Sequence, residues 1–88
     1  MELLKFGAPW CGSCKKLGKM IEQEQLRNSV NVREINVEDE PDLAEQYSIM
    51  NLPIMVLVGN DGVVLARWSG VHPGIIDEVK NAVNKFKV

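Results

Sequence analysis

Cys11 and Cys14 are the only cysteines in the sequence, and they stand three positions apart. They follow the apolar run Leu3-Leu4-Lys5-Phe6 and open a stretch with helical periodicity. Two thiols on the first turn of a helix can close into a small disulfide ring and reopen. The outer thiol meets unpaired backbone N–H groups and the positive end of the helix dipole, which lowers its pKa. That arrangement suits exchange of electron pairs with other disulfides. Cys11, nearest the exposed helix end, reads as the nucleophile. Cys14, one turn further in, reads as the buried resolving thiol. A static disulfide or half of a zinc site is the competing reading. Structural zinc takes four protein ligands, and beyond the two cysteines the chain offers one histidine, His72. Carboxylates or a second copy of the chain would have to complete such a site. A redox-sensing or metal-holding module without catalysis therefore stays as an alternative from another class.

The elements that position these thiols follow from pattern and punctuation. Leu3 to Phe6 reads as a short buried strand and Gly7-Ala8-Pro9-Trp10 as a loop. Cys11 to about Asn28 reads as a helix, with Cys14, Leu17, Ile21 and Gln25 along one side, Met20 beside them, and Gly18 weakening it slightly. Val30 to Val37 alternates like a strand. Asp39-Glu40-Pro41-Asp42 is a helix-start signal with proline near the first helical position, and Leu43, Ala44 and Tyr47 mark a short second helix. Pro53 to Val58 reads as a buried strand. Gly59-Asn60-Asp61-Gly62 supplies the residues a hairpin turn needs, so Val63 to Trp68 returns antiparallel. Pro73 to about Phe86 reads as an amphipathic helix with Ile75, Ile76, Val79, Val83 and Phe86 inward. The order is βαβαββα: an α/β fold with one mixed four-stranded sheet between helices on two sides.

Composition bounds the function classes. Eighty-eight residues make a single domain, 1–88, burying a little over about 60% of its unfolded surface. A net charge of −2 gives no reason to expect nucleic acid or an anionic membrane as partner. No apolar run approaches the length of a membrane span; the longest, Leu52 to Val58, is strand-sized. Met1-Glu2 leads straight into the first strand with no export signal, so the expected compartment is the cytoplasm. In an unexported chain a lone CxxC reads as redox or metal-binding.

Trp10-Cys11-Gly12-Ser13-Cys14-Lys15 resembles the active-site motif of the thioredoxin family. The resemblance extends through Ile35-Asn36-Val37-Glu38, through Tyr47 to Pro53, which looks like the segment leading to the family's cis-proline, and to Ser69-Gly70-Val71, where the family places a substrate-facing glycine loop. Starting at the first strand, the chain is similar to the compact version of the fold shared with glutaredoxins and small microbial or phage thioredoxins. The resemblance implies a thioredoxin-like fold of four strands flanked by three helices. It implies a thiol–disulfide oxidoreductase working through Cys11 and Cys14, with Trp10, Gly12, Leu52, Pro53, Gly70 and Val71 toward the substrate and an apolar docking surface of Trp10, Leu52, Val37 and Val71. Partners would be protein disulfides and a flavoprotein reductase drawing on NADPH. A glutathione-coupled, glutaredoxin-like protein is the alternative within enzymes. No metal or organic cofactor is expected, and the expected state is a monomer.

Two departures from the family stand out. Ser13 replaces the usual proline, which restores a backbone N–H and frees φ beside the sulfurs; a less strongly reducing protein is expected. Six residues before the first cysteine the family commonly has a buried aspartate, and this chain has Lys5. The aspartate's usual lysine partner aligns with Glu34. In one reading Lys5 snorkels to the edge and Glu34 is solvated. In the other they form a partly buried pair below Cys14, whose carboxylate shuttles the Cys14 proton through water. Trp68 is expected to pack, and His72 to be an exposed helix-start residue.

Overall fold

The structure, a computed structural model, describes residues 1–87. Its strands are β1 (Glu2–Gly7), β2 (Asn31–Asn36), β3 (Ile54–Val58) and β4 (Val64–Ser69). Its helices are α1 (Gly12–Gln23), α2 (Pro41–Gln46) and α3 (Ile75–Phe86), with a single 3-10 turn at Leu26–Asn28. The strands form one mixed sheet in the order β2-β1-β3-β4. β1 pairs parallel to β2 and antiparallel to β3, and β3 pairs antiparallel to β4. The βαβαββα order and the mixed sheet are those expected from the sequence.

Strand alternation sends side chains to two cores. Leu3, Met55 and Leu57 face α1 and α3 and pack with Leu17, Ile21, Ile75, Ile76, Val79 and Val83. Leu4, Phe6, Ile35, Ile54 and Val56 face the other way and pack against Leu43 and Tyr47 of the α2 segment. β1 and β3 are covered on both faces, which is why β3 reads as a continuous apolar run and β1 as one interrupted only by Lys5 between Leu3 and Phe6. Trp68 is half-buried against the first core, as expected.

Several expectations need correction. The first helix stops at Gln23 rather than near Asn28. Gln25 takes a left-handed φ of 55°, and the chain restarts as the 3-10 turn. At about 100° per residue, an unbroken helix would rotate Leu26 some 140° away from the Ile21 face. The break returns Leu26 and Val30 to the core and leaves Gln25 exposed instead of inward. Phe86, expected inward, is 37% exposed at the last position of α3, with the Lys85 ammonium 5.5 Å from its ring centre. The hairpin turn forms as its sequence predicts: Gly62 has φ 84°, its N–H donates to the Gly59 carbonyl at 3.0 Å, and the Asp61 carboxylate accepts from the Val63 N–H at 3.1 Å. Strand 4 begins one residue later than expected, at Val64, and α3 begins at Ile75 behind a left-handed Gly74.

Candidate functional site

The chemistry-bearing residues gather at one end of the sheet because of strand register. β1 ends at Gly7, whose parallel neighbour is Asn36. The Val37 N–H continues that ladder by donating to the Gly7 carbonyl at 3.0 Å. On the other flank Phe6 pairs with Ile54 and Ile54 with Ser69. The residues just past these pairs are Pro53 and Gly70, joined by the Gly70 N–H donating to the Pro53 carbonyl at 2.9 Å. The end of the central strand β1 is thus flanked by Asn36 and Val37 on one side and by Pro53 and Gly70 on the other. The cysteine loop leaves from that end.

Cys11 is the N-cap of α1. Its backbone is extended and its Sγ accepts from the Cys14 N–H at 3.2 Å. The sulfur does the work of a capping oxygen, satisfying one N–H that the helix itself leaves unpaired. The Cys11 N–H donates back to the Ala8 carbonyl at 3.1 Å, which closes the Ala8–Cys11 turn. Cys11 and Cys14 are joined as a disulfide with their Cα atoms 5.3 Å apart, and both are buried. Trp10 is 69% exposed beside them, and its indole Nε1 donates to the Glu38 carboxylate at 2.9 Å. Gly12 is exposed at the first position of α1.

The Leu52–Pro53 peptide is cis. Leu52 is half-buried against the second core, Pro53 is buried, and Val71 is half-buried against the first core. Gly70 has φ 81°, a left-handed backbone that side chains with a Cβ adopt only at a cost. The segment before Pro53 is pinned to β4. The Arg67 guanidinium donates to the Tyr47 carbonyl and, at 2.7 Å, to the Ser48 carbonyl; Asn51 donates to Ser69 Oγ at 3.1 Å. Sequence reasoning missed Arg67, Asn51 and Glu38 as supports of the site, because a lone polar residue in a loop or on an edge strand gives no local sign of its partner. It missed Gly7 too: a Cβ there would stand 3.3 Å from both Cβ and Sγ of Cys14. A glycine ending a buried strand just before the motif was the available signal.

Lys5 and Glu34 are register partners on β1 and β2, and Nζ donates to Oε1 at 3.0 Å. The two are unequal: the Lys5 side chain is 10% exposed and that of Glu34 57%. The partly buried pair expected from the sequence is formed, with the burial on one side: Lys5 does not snorkel to the surface, and Glu34 is solvated. Both line a cleft of about 800 Å³ between α1 and the β1–β2 pair, with Gly7, Cys14, Lys15, Gly18, Lys19, Glu22 and Arg27 on its walls. His72 is exposed and lies 2.6 Å from Glu78, at the approach to α3. Among the described residues no three His, Cys, Asp or Glu side chains are grouped as metal ligands. Among the same residues no helix is long and apolar enough to cross a membrane.

A sequence model of the thioredoxin family matches residues 1–85. Thioredoxin of Chlorobaculum thiosulfatiphilum is 36% identical over 73 residues, which are 81% of this chain and 67% of that one. Thioredoxin of Pyropia yezoensis is 33% identical over 57 residues, 62% of this chain and 53% of the relative; the chain thus spans about half to two thirds of the length of these relatives. The Fasciola hepatica thioredoxin structure superposes with a TM-score of 0.80 at 25% identity, over 91% of this chain and 77% of that one. With a disulfide-bonded cysteine pair at the start of a helix, Cys11 capping it, at the end of the matching sheet, the chain belongs to the thioredoxin family of thiol–disulfide oxidoreductases.

Proposed function

We propose that the protein reduces disulfides in other proteins by dithiol exchange. The Cys11 thiolate attacks a substrate disulfide, forms a mixed disulfide and releases the first substrate thiol. Cys14, once deprotonated, attacks Cys11 Sγ, frees the second substrate thiol and leaves Cys11–Cys14 oxidised. The observation that carries this reading is Cys11 at the N-cap with Cys14 bonded to it one turn behind. The Cys14 N–H that donates to the outer sulfur and the positive end of the helix dipole stabilise its thiolate, so Cys11 is expected to titrate below the free-thiol value of about 8.5. Trp10, Gly12, Leu52, Pro53, Gly70 and Val71 are the residues we assign to the substrate. An extended segment would add as a short strand along the Leu52–Pro53 backbone, with the exposed Trp10 and the half-buried Leu52 and Val71 giving sequence-tolerant apolar contact. We assign Lys5 and Glu34 to the second half-reaction, because they share the cleft with Cys14. The reduced state is regenerated by an external donor: a flavoprotein reductase drawing on NADPH or, in the alternative reading, glutathione. The protein works as a cytoplasmic monomer of one domain, and the exchange chemistry needs no metal or organic cofactor.

The test is the pair of single substitutions. Cys11→Ser abolishes reduction of a protein disulfide, and Cys14→Ser accumulates mixed disulfides that mass spectrometry detects. Adducts on Cys11→Ser but not on Cys14→Ser would reverse the two roles. Alkylation rate against pH in the reduced protein checks the Cys11 thiolate; a midpoint at or above about 8.5 removes the helix-terminus argument.

A further inference from the structure

The Lys5 ammonium and the Cys14 sulfur sit on facing elements in one register. On β1, Lys5 and Gly7 are two apart and share the face toward α1; on α1, Cys14 and Gly18 are four apart and share the face toward β1. A Cβ on Gly7 would lie 3.3 Å from Cys14 Sγ, and one on Gly18 would lie 3.6 Å from Lys5 Nζ. These two contacts lie one helical turn apart, about 6–7 Å along α1 and β1 by the rise of four helical or two strand residues. Both residues line the same cleft.

The charges around that cleft are unequal. Its lining holds the cations Lys5, Lys15, Lys19 and Arg27 and the anions Glu22 and Glu34. Glu22 is bound to Arg27 at 2.8 Å and Glu34 to Lys5 at 3.0 Å. The one charged group buried in the cleft is the Lys5 ammonium, while its carboxylate partner stands in solvent. Water screens the exposed carboxylate more than the buried cation, so the field at Cys14 is positive.

We propose that Lys5 is a positioning residue of the second half-reaction: its buried ammonium stabilises the Cys14 thiolate, and Glu34 holds that ammonium in place instead of carrying a proton. The inference rests on the dithiol reading above and names the group that tunes its inner thiol. The bond accounting is unchanged. Cys14 gives its proton to water in the cleft. The thiolate then forms the bond to Cys11 Sγ as the Cys11–substrate bond breaks. The substrate sulfur leaves as thiolate and takes a proton from water. The dithiol loses two electrons and the substrate disulfide gains them.

A cation within about 4–6 Å lowers an acid's titration midpoint by about 1–3 units; at a spacing of one helical turn, with the Glu34 carboxylate offsetting part of the effect, about one unit, the low end, is expected. One unit raises the thiolate fraction about tenfold at neutral pH. The less basic thiolate is about threefold less nucleophilic, which leaves a net gain of about threefold in resolution.

The experiment has two readouts. In reduced Cys11→Ala protein, alkylation rate against pH titrates Cys14 alone. Lys5→Met, which keeps the aliphatic stem and removes the charge, raises the midpoint by about one unit; Lys5→Arg restores it. Glu34→Gln, whose amide oxygen still accepts from the ammonium, raises it less than Lys5→Met does. In protein with both cysteines, a chromogenic aromatic disulfide reports two releases: the first from Cys11 attack, the second from Cys14 resolution. Lys5→Met slows the second release about threefold below the midpoint and not well above it, while the first keeps its rate. A Cys14 midpoint unmoved or lowered by Lys5→Met overturns the proposal, and so does a second release that Glu34→Gln slows with the Cys14 midpoint unmoved, the mark of a proton carrier. Absence of any second release in the unmodified protein defeats the dithiol reading itself. If Lys5→Met does not fold, Glu34→Gln, at an exposed position, decides between the two roles on the same readouts.

Discussion

The two flanks of β1 differ sharply at the end from which the cysteine loop leaves. On the β3–β4 flank the neighbours are backbone and apolar surface: the cis Leu52–Pro53 peptide, the left-handed Gly70 and the half-buried Val71. They come from loop segments that the register of three strands and the Arg67 and Asn51 hydrogen bonds bring together. On the β2 flank the neighbours are charged side chains on regular elements, with one buried ammonium among them. Loop backbone with apolar surface suits recognition of varied extended segments. A buried charge on rigid elements suits control of a thiol's protonation. The end of β1 from which the cysteine loop leaves is therefore bordered by two environments, and substitutions on the two flanks have different consequences.

Three glycines divide that difference with the same added methyl group. Gly7→Ala has the largest expected effect. Its Cβ would stand 3.3 Å from two atoms of Cys14, a buried side chain already tied into the disulfide. Overpacking of this kind costs about 1–3 kcal/mol, read as a lower denaturant midpoint with an unchanged slope. A stability equal to that of the unmodified protein would mean that Cys14 moves freely, and the rigid inner flank would be lost as an idea. Gly70→Ala comes next. Open space surrounds the position, so the cost is the left-handed backbone, about 1–2 kcal/mol. It is expected to raise KM for a protein disulfide more than it changes the rate with a small aromatic disulfide. Equal effects on both substrates would detach the Gly70 loop from recognition. Gly18→Ala has the smallest effect and the opposite sign. Its Cβ would meet Lys5 Nζ at 3.6 Å, an ordinary contact, and helix propensity gains up to about 1 kcal/mol. A fall in Tm would show that the ammonium needs the space above it.

The type and order of most elements were legible from the sequence because each carries its own local signal. Asp61-Gly62 marks its turn, Pro41 marks the start of α2, and the spacing of Ile75, Ile76, Val79 and Val83 marks α3. The first helix was read too long because its residues support a helix locally; only the need to bury Leu26 and Val30 ends it. Phe86 was misplaced because periodicity gives the direction of a side chain and not how far the sheet extends beneath it.

At the site, the sequence by itself determined the two thiols, their spacing on a helix start, and the family that such a motif resembles, since these are properties of contiguous residues. Tertiary structure decided what surrounds them. Pro53 and Gly70 meet because β3 and β4 are paired in one register. Cys14 is held against Gly7 because α1 packs back on the strand that precedes it. The Lys5–Glu34 pair became a buried cation with a solvated anion because β1 is a central strand and β2 an edge. A charge on a central strand under a helix loses its water, whereas one on an edge keeps it, and no local pattern records which strand lies at the edge.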